Sequence, residues 1–158
     1  MKKSLFLLLF PVMSLVSCLK TEEVECVPME VTLNAPANEV SALKGILLGS
    51  GITATEDPRG FFYVISGPTT GVKPTTCSVV SIDYVAKILN GAQVDQGTGA
   101  VFQVAAFITG WQEAIPLLSK GGSMKLYLPP SLAYGPNPNG NIPGNSNLEF
   151  TIDLKDVK

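Results

Sequence analysis

From residue 60 onward the chain alternates apolar and polar side chains with period two, and that alternation is interrupted once. The cleanest run is LEFTIDLKDV, where Leu148, Phe150, Ile152 and Leu154 share one face and Glu149, Thr151, Asp153 and Lys155 the other. A strand written this way buries one side and wets the other, which is the habit of antiparallel sheets. SVVSIDYVAKI repeats the pattern with Val80, Ile82, Tyr84 and Ala86, and Asn90-Gly91 follows as a hairpin turn. FFYVISG and SMKLYLPP read as two more strands, and VFQVAAF as an apolar extended segment. The interruption is GWQEAIPLLSKGG, where Trp111, Ala114, Ile115 and Leu118 fall at helical spacing before Gly121-Gly122, and Pro116 limits its regularity. Such a chain is expected to be α+β, a half-exposed antiparallel sheet with one short helix on its concave face. About a hundred residues are enough for one domain with a real core.

The first fifty-nine residues read differently. Residues 1–17 have the form of an export signal, with Lys2 and Lys3 ahead of the apolar run Leu5 to Phe10. That run, broken by Pro11, is too short to span a bilayer as a helix. It ends in LVSC, which resembles a bacterial lipobox and makes Cys18 the expected lipidation site; the alternative is an ordinary signal cleaved elsewhere. Several acyl chains are needed for firm anchoring, because one gives only marginal binding. Residues 18–34 read as an acidic tether, and 35–59 as a helix and linker. The helix carries Val40, Leu43, Ile46 and Leu47, with Asn38 as the expected cap and Gly49 or Gly51 as the stop.

Charge and composition exclude several function classes. Without Lys2 and Lys3, nine basic residues face thirteen acidic ones, a net charge of −4, and nothing basic is clustered. Such a surface has no electrostatic hold on nucleic acid. The chain contains no histidine. Ser-His-Asp and Cys-His catalysis and most zinc sites are therefore out of reach, and neither a metal nor a cofactor is expected. In an exported protein the pair Cys26 and Cys77 is expected either as a disulfide closing about fifty residues or as two free thiols.

A single helix covers only part of a sheet's apolar face, so residues near its start either fill a core or line a pocket. Three stretches give that choice a direction: VSIDYVAKILNGAQVDQG, FQVAAFITGWQEAIPLLSKGGSMKLYLPPSLAYG and IPGNSNLEFTIDLKDV. They resemble the FKBP-type peptidyl-prolyl cis/trans isomerases, the macrolide-binding immunophilins, over residues 60 to 157 and in the family's order. The phrase from Phe102 to Trp111 and the P-P-x-x-A-Y-G phrase from Pro129 to Gly135 carry most of the likeness. The resemblance implies a twisted antiparallel sheet wrapped around one short helix, an isomerase domain over 60–158, and a monomer.

It also implies roles. Tyr84 and Asp95 match a phenol bonded to a buried carboxylate in the pocket wall, read either as catalytic or as a structural pair. Phe102 and Phe150 match aromatic walls, and Trp111, the only tryptophan, matches the seat of the substrate proline. Phe107 sits at the rim, and Ile108 matches the backbone donor to the carbonyl after the proline. Tyr134 matches the hydroxyl donor to the carbonyl before it, from a loop running Gly135 to Asn141, and Ile142 is an aliphatic rim residue. Two departures stand out. Val94 occupies a position that is usually phenylalanine, which removes aromatic surface. Gly144 replaces the second proline of I-P-P, which is expected to loosen the loop.

The implied partners are proline-containing unfolded or extended polypeptides and macrolide ligands, with the membrane met only through the lipid anchor of an envelope protein. Two further readings stand beside the isomerase: a catalytically weak chaperone or peptide-binding module, and a plain β-sandwich lipoprotein without a pocket.

Overall fold

The computed structural model describes residues 26–158. The expected leader at 1–17 and the expected lipidation site at Cys18 lie outside the described residues. Six strands form one antiparallel sheet: β1 Thr55–Glu56, β2 Phe62–Ser66, β3 Val79–Ile88, β4 Gln93–Gln103, β5 Ser123–Leu128 and β6 Leu148–Val157. Their spatial order is β1-β2-β5-β6-β3-β4. With helices α1, Ala37–Gly49, and α2, Thr109–Ala114, the fold is α+β, as the alternation predicted, and the plain β-sandwich is excluded because one sheet holds all the strands of the described residues.

The two clearest alternating runs lie side by side as β3 and β6, so Ala86 faces Phe150 and Tyr84 faces Ile152 across the ladder. Their inward residues join Trp111, Ala114, Ile115 and Leu118 in the main core. Each buried aliphatic side chain there contributes about 1.5–3 kcal/mol relative to exposure. Gly110 sets the approach of α2 to the sheet, since a Cβ at that position would run into the Leu128 side chain. The expected longer helix stops at Ala114 and tightens into a 3₁₀ turn at Ile115–Leu117, where Pro116 has no N–H for an α-helical bond.

Three expectations need correction. The sheet is not half-exposed along β2 and β5, because α1 lays Leu43 and Leu47 against Phe62, Leu89 and Tyr127 on the outer face. The signal was the unbroken apolar run Leu126, Tyr127, Leu128, which buries both faces of β5. VFQVAAF is not extended throughout. The β3–β4 ladder ends at Val79 and Gln103, and Val104–Ala106 turns as a 3₁₀ helix held by bonds to Ser78 and Thr76 carbonyls. Finally, α1 starts at Ala37 after Pro36, and Asn38 lies inside its first turn and caps nothing. Its other end matches expectation. Gly51 adopts φ 69° and the Ile52 N–H returns to the Leu47 carbonyl, a left-handed stop that glycine supplies without a steric cost.

Residues 26–34 form no strand or helix. A disulfide joins Cys26 to Cys77, with Cα atoms 5.8 Å apart, and fastens this arm to the segment ahead of β3.

Candidate functional site

The start of α2 opens onto a cavity of about 210 Å³, bounded by β3, β4, β6 and the loop after β5. Trp111 forms its floor at 4% exposed. Helical spacing puts the indole on the same face of α2 as Ile115, but Trp111 sits one turn earlier, where the helix no longer covers the sheet. Three aromatic rings fix the indole: Tyr84 at 5.4 Å, Phe107 at 4.8 Å and Phe150 at 5.2 Å between centroids, at steep interplanar angles. Edge-to-face pairs of this kind add about 0.5–1.5 kcal/mol each beyond area burial. Phe102 extends the aromatic wall through Phe107 at 5.3 Å, and is itself 43% exposed at the mouth.

The polar groups are few. The Tyr84 hydroxyl donates to Asp95 Oδ2 at 2.8 Å, and Asp95 Oδ1 accepts the Gln96 N–H at 2.8 Å. Burial first, then the bond to and charge of Asp95, push the Tyr84 hydroxyl up to about 12, so it stays a donor at any ordinary pH. Asp95 itself is exposed, not buried as the resemblance implied. It sits on edge strand β4, where nothing covers its outer side. The Tyr84 ring reaches it by crossing β4 at Gly97, where a Cβ would stand 2.5 Å from Tyr84 Cε1. The glycine-rich QGTGAV is thus part of a strand that a tyrosine can lie across.

Ile108 immediately precedes α2. Its carbonyl accepts the Trp111 and Gln112 N–H groups, while its own N–H donates to no backbone carbonyl among the described residues. Tyr134 stands at the rim, 39% exposed, its hydroxyl raised by burial and by Asp95. Val94 and Ile142 complete the aliphatic wall. The Trp111 indole N–H is buried and has no acceptor among the described residues.

All ten residues singled out for the pocket therefore meet in one cavity: Tyr84, Val94, Asp95, Phe102, Phe107, Ile108, Trp111, Tyr134, Ile142 and Phe150. Sequence reasoning missed three contributors. Ala86 lies on the strand face already assigned to Tyr84, so its place was readable. Ala106 lines the rim through the unforeseen 3₁₀ turn. Gln112 donates to the Phe107 and Ala105 carbonyls at 2.6 and 3.2 Å and locks that turn to α2.

Gly144 lies where the rim loop is closely packed. Its bare Cα lets the chain pass against the Pro136 carbonyl, a space that a Cβ would fill. Asn139 and Ile142 exchange both backbone bonds at 2.9 Å, and Asn145 N–H reaches the Gly135 carbonyl. Among the described residues no group of three His, Cys, Asp or Glu side chains is placed to hold a metal.

A sheet curled around a short helix is the fold of solved prolyl isomerases. Crystal structures of FkpA from Escherichia coli (TM-score 0.68, 29% identity, 77% of this chain and 60% of that one) and of a peptidyl-prolyl cis-trans isomerase from Pseudomonas syringae (0.67, 28%, 79% and 98%) share it. Residues 71–155 match the family described as FKBP-type peptidyl-prolyl cis-trans isomerase, and the chain belongs to it. Among curated relatives, FkpA of Aeromonas hydrophila is 34% identical over 66% of this chain, and the outer membrane protein MIP of Legionella longbeachae 37% over 64%. The chain spans less than half the length of these two relatives, 40% and 46%.

Proposed function

We propose that the protein is a peptidyl-prolyl cis/trans isomerase acting on proline-containing polypeptides outside the cytoplasm. The observation that supports this most directly is the Trp111 floor with three rings around it, an apolar seat of about 210 Å³ with the Tyr84 and Tyr134 hydroxyls along its wall. Rotation about an X–Pro amide meets a barrier of about 20 kcal/mol because the planar form is resonance-stabilised. Resonance is lost in the twisted transition state, and its carbonyl depends less on water. An aromatic pocket therefore disfavours the planar, dipolar ground state more than the twisted one.

In this reading the Ile108 N–H holds the carbonyl after the proline, and the Tyr134 hydroxyl holds the one before it. Asp95 orients Tyr84. No step needs a titrating group, which agrees with a chain that has no histidine. The isomerase domain runs from 60 to 158, with the arm and α1 as its N-terminal attachment. Cys18 is the acylated residue, and the anchor places the domain in the cell envelope. The export-type leader and the outer membrane relative support that placement. No helix among the described residues is long and apolar enough to cross a membrane.

A protease-free assay of cis/trans exchange in a short X-Pro peptide tests the activity. Catalysed exchange is the expected result. Binding of the peptide without acceleration would leave a docking module and overturn the enzyme. Mass spectrometry of the exported protein tests acylation of Cys18.

A further inference from the structure

A second and larger cavity, about 700 Å³, opens on another flank of α2, between the helix and the arm of residues 26–34. Gln112, Glu113, Pro116 and Leu117 form one side, and Met29 and Glu30 of the arm face them. Glu113 is its unusual member. The residue is 2% exposed, and neither carboxylate oxygen has a hydrogen-bond donor among the described residues. Burying a carboxylate unpaired is costly, and native proteins seldom leave such a group unsatisfied without a use for it.

The charges around it decide what partner would suit it. Arg59, the cation whose charge acts on Glu113, is committed elsewhere: Nε and Nη2 grip Asp57 at 2.7 and 3.0 Å. Glu113 therefore faces an already neutralised pair from the β1–β2 connection, and Glu30 adds a further negative charge from the arm. The cavity repels anions and offers acceptors. Its walls also carry Met29, Pro116 and Leu117, apolar surface along which an alkyl stem can lie. The arm that closes the cavity is attached at few points: the Cys26–Cys77 disulfide, the Met29–Thr76 bonds and the Ala35 N–H to the Arg59 carbonyl.

We propose that this cavity is a second binding site, for a lysine or arginine side chain of a polypeptide, with Glu113 as its acceptor. The cationic head replaces the missing donors, and the aliphatic stem covers the apolar wall. That the cation belongs to a polypeptide rests on the isomerase reading; the preference for a cationic N–H donor does not. Burial holds the Glu113 carboxyl up to about 7, with Arg59 pulling down and Asp57 pushing up. Binding of a cation then requires loss of that proton and weakens on acidification.

The test uses proline-free blocked peptides, so that a failure of the isomerase reading leaves it interpretable. The ¹⁵N-labelled protein, disulfide intact, is titrated with acetyl-Gly-Lys-Gly-amide and with its norleucine twin, following backbone amides and the Trp111 indole. The lysine peptide is expected to move Thr75, Thr76, Gln112 and Glu113 but not the indole, and to bind at least about tenfold tighter than norleucine. From pH about 8 to about 6 its affinity should fall about tenfold, following the ionised fraction of Glu113. Glu113→Gln, which keeps the shape, should abolish both the preference and the pH dependence. Equal binding of the two peptides by the unaltered protein, no binding of either, or a preference surviving in Glu113→Gln would overturn the site. Should n-butylammonium bind as tightly as the peptide, the polypeptide assignment fails and the ligand is a free amine.

Discussion

The carboxylate of Glu39, in the first turn of α1, accepts the backbone N–H of Ser131 at 2.9 Å, 92 residues further along the chain. Ser131 lies in the turn Pro130–Leu132, three residues before Tyr134. A helix outside the pocket-bearing face thus pins the root of the segment that carries the pocket's tyrosine. Glu39→Ala leaves a part-buried N–H without its acceptor and should cost about 1–3 kcal/mol, read as a lower urea midpoint. Glu39→Gln keeps an acceptor oxygen and should recover at least half of that loss. If Glu39 also positions Tyr134, the alanine variant will raise KM more than it lowers kcat, and glutamine will restore KM.

Trp111→Leu removes the ring on which three others converge. Isomerase activity on an X-Pro peptide should fall at least about tenfold in kcat/KM, equivalent to about 1.4 kcal/mol of lost transition-state contact. Val94→Phe works in the opposite direction by adding a ring to the aliphatic wall, and kcat/KM should rise several-fold. An unchanged value for Val94→Phe would mean that the aliphatic wall already suffices.

The buried Glu113 predicts a pH dependence of stability. Its folded carboxyl is raised to about 7 from the ordinary 4.5, so the native state holds the proton more tightly than the unfolded chain does. Stability from this group is therefore highest at the acid end and declines as pH rises from about 4.5 to about 7. Urea midpoints should drop across that window in the unaltered protein. The decline should flatten in Glu113→Gln, which should be the more stable of the two at pH about 8.

Reducing the Cys26–Cys77 bond opens a loop of 51 residues' separation. On the chain-entropy account this removes about 4 kcal/mol of stability, measurable as a lower denaturation midpoint with reductant. Because none of the residues lining the aromatic cavity belongs to the arm, isomerase activity under native conditions should change less than twofold.

The strands and the pocket were legible where one physical rule governed a segment. β3 and β6 each wet one face, so alternation located them to within a residue, and the likeness of their neighbours to a known family named ten residues that line one cavity. Reading failed where tertiary contacts outweighed local pattern. Val104–Ala106 is apolar enough for a strand but has no ladder partner there. Leu126 to Leu128 are buried on both faces because Leu43 and Leu47 of α1, far earlier in sequence, cover one of them. The resemblance implies a buried Asp95, and no local signal marks β4 as an edge strand to correct it. The arm cavity left no trace in the pattern, since Glu113 reads as an ordinary polar helical position until its surroundings are seen.

The placement of the disulfide also determines how a load would travel. A pull on the chain ahead of Cys26 passes through the sulfur bridge to Cys77 and enters the domain at the first residues of β3, which is flanked by strands on both sides. Residues 27–76, with α1, β1 and β2, lie within the covalently closed loop and carry none of that tension. Such traction would be borne by the sheet's interior, while the helix that pins the tyrosine segment stays slack.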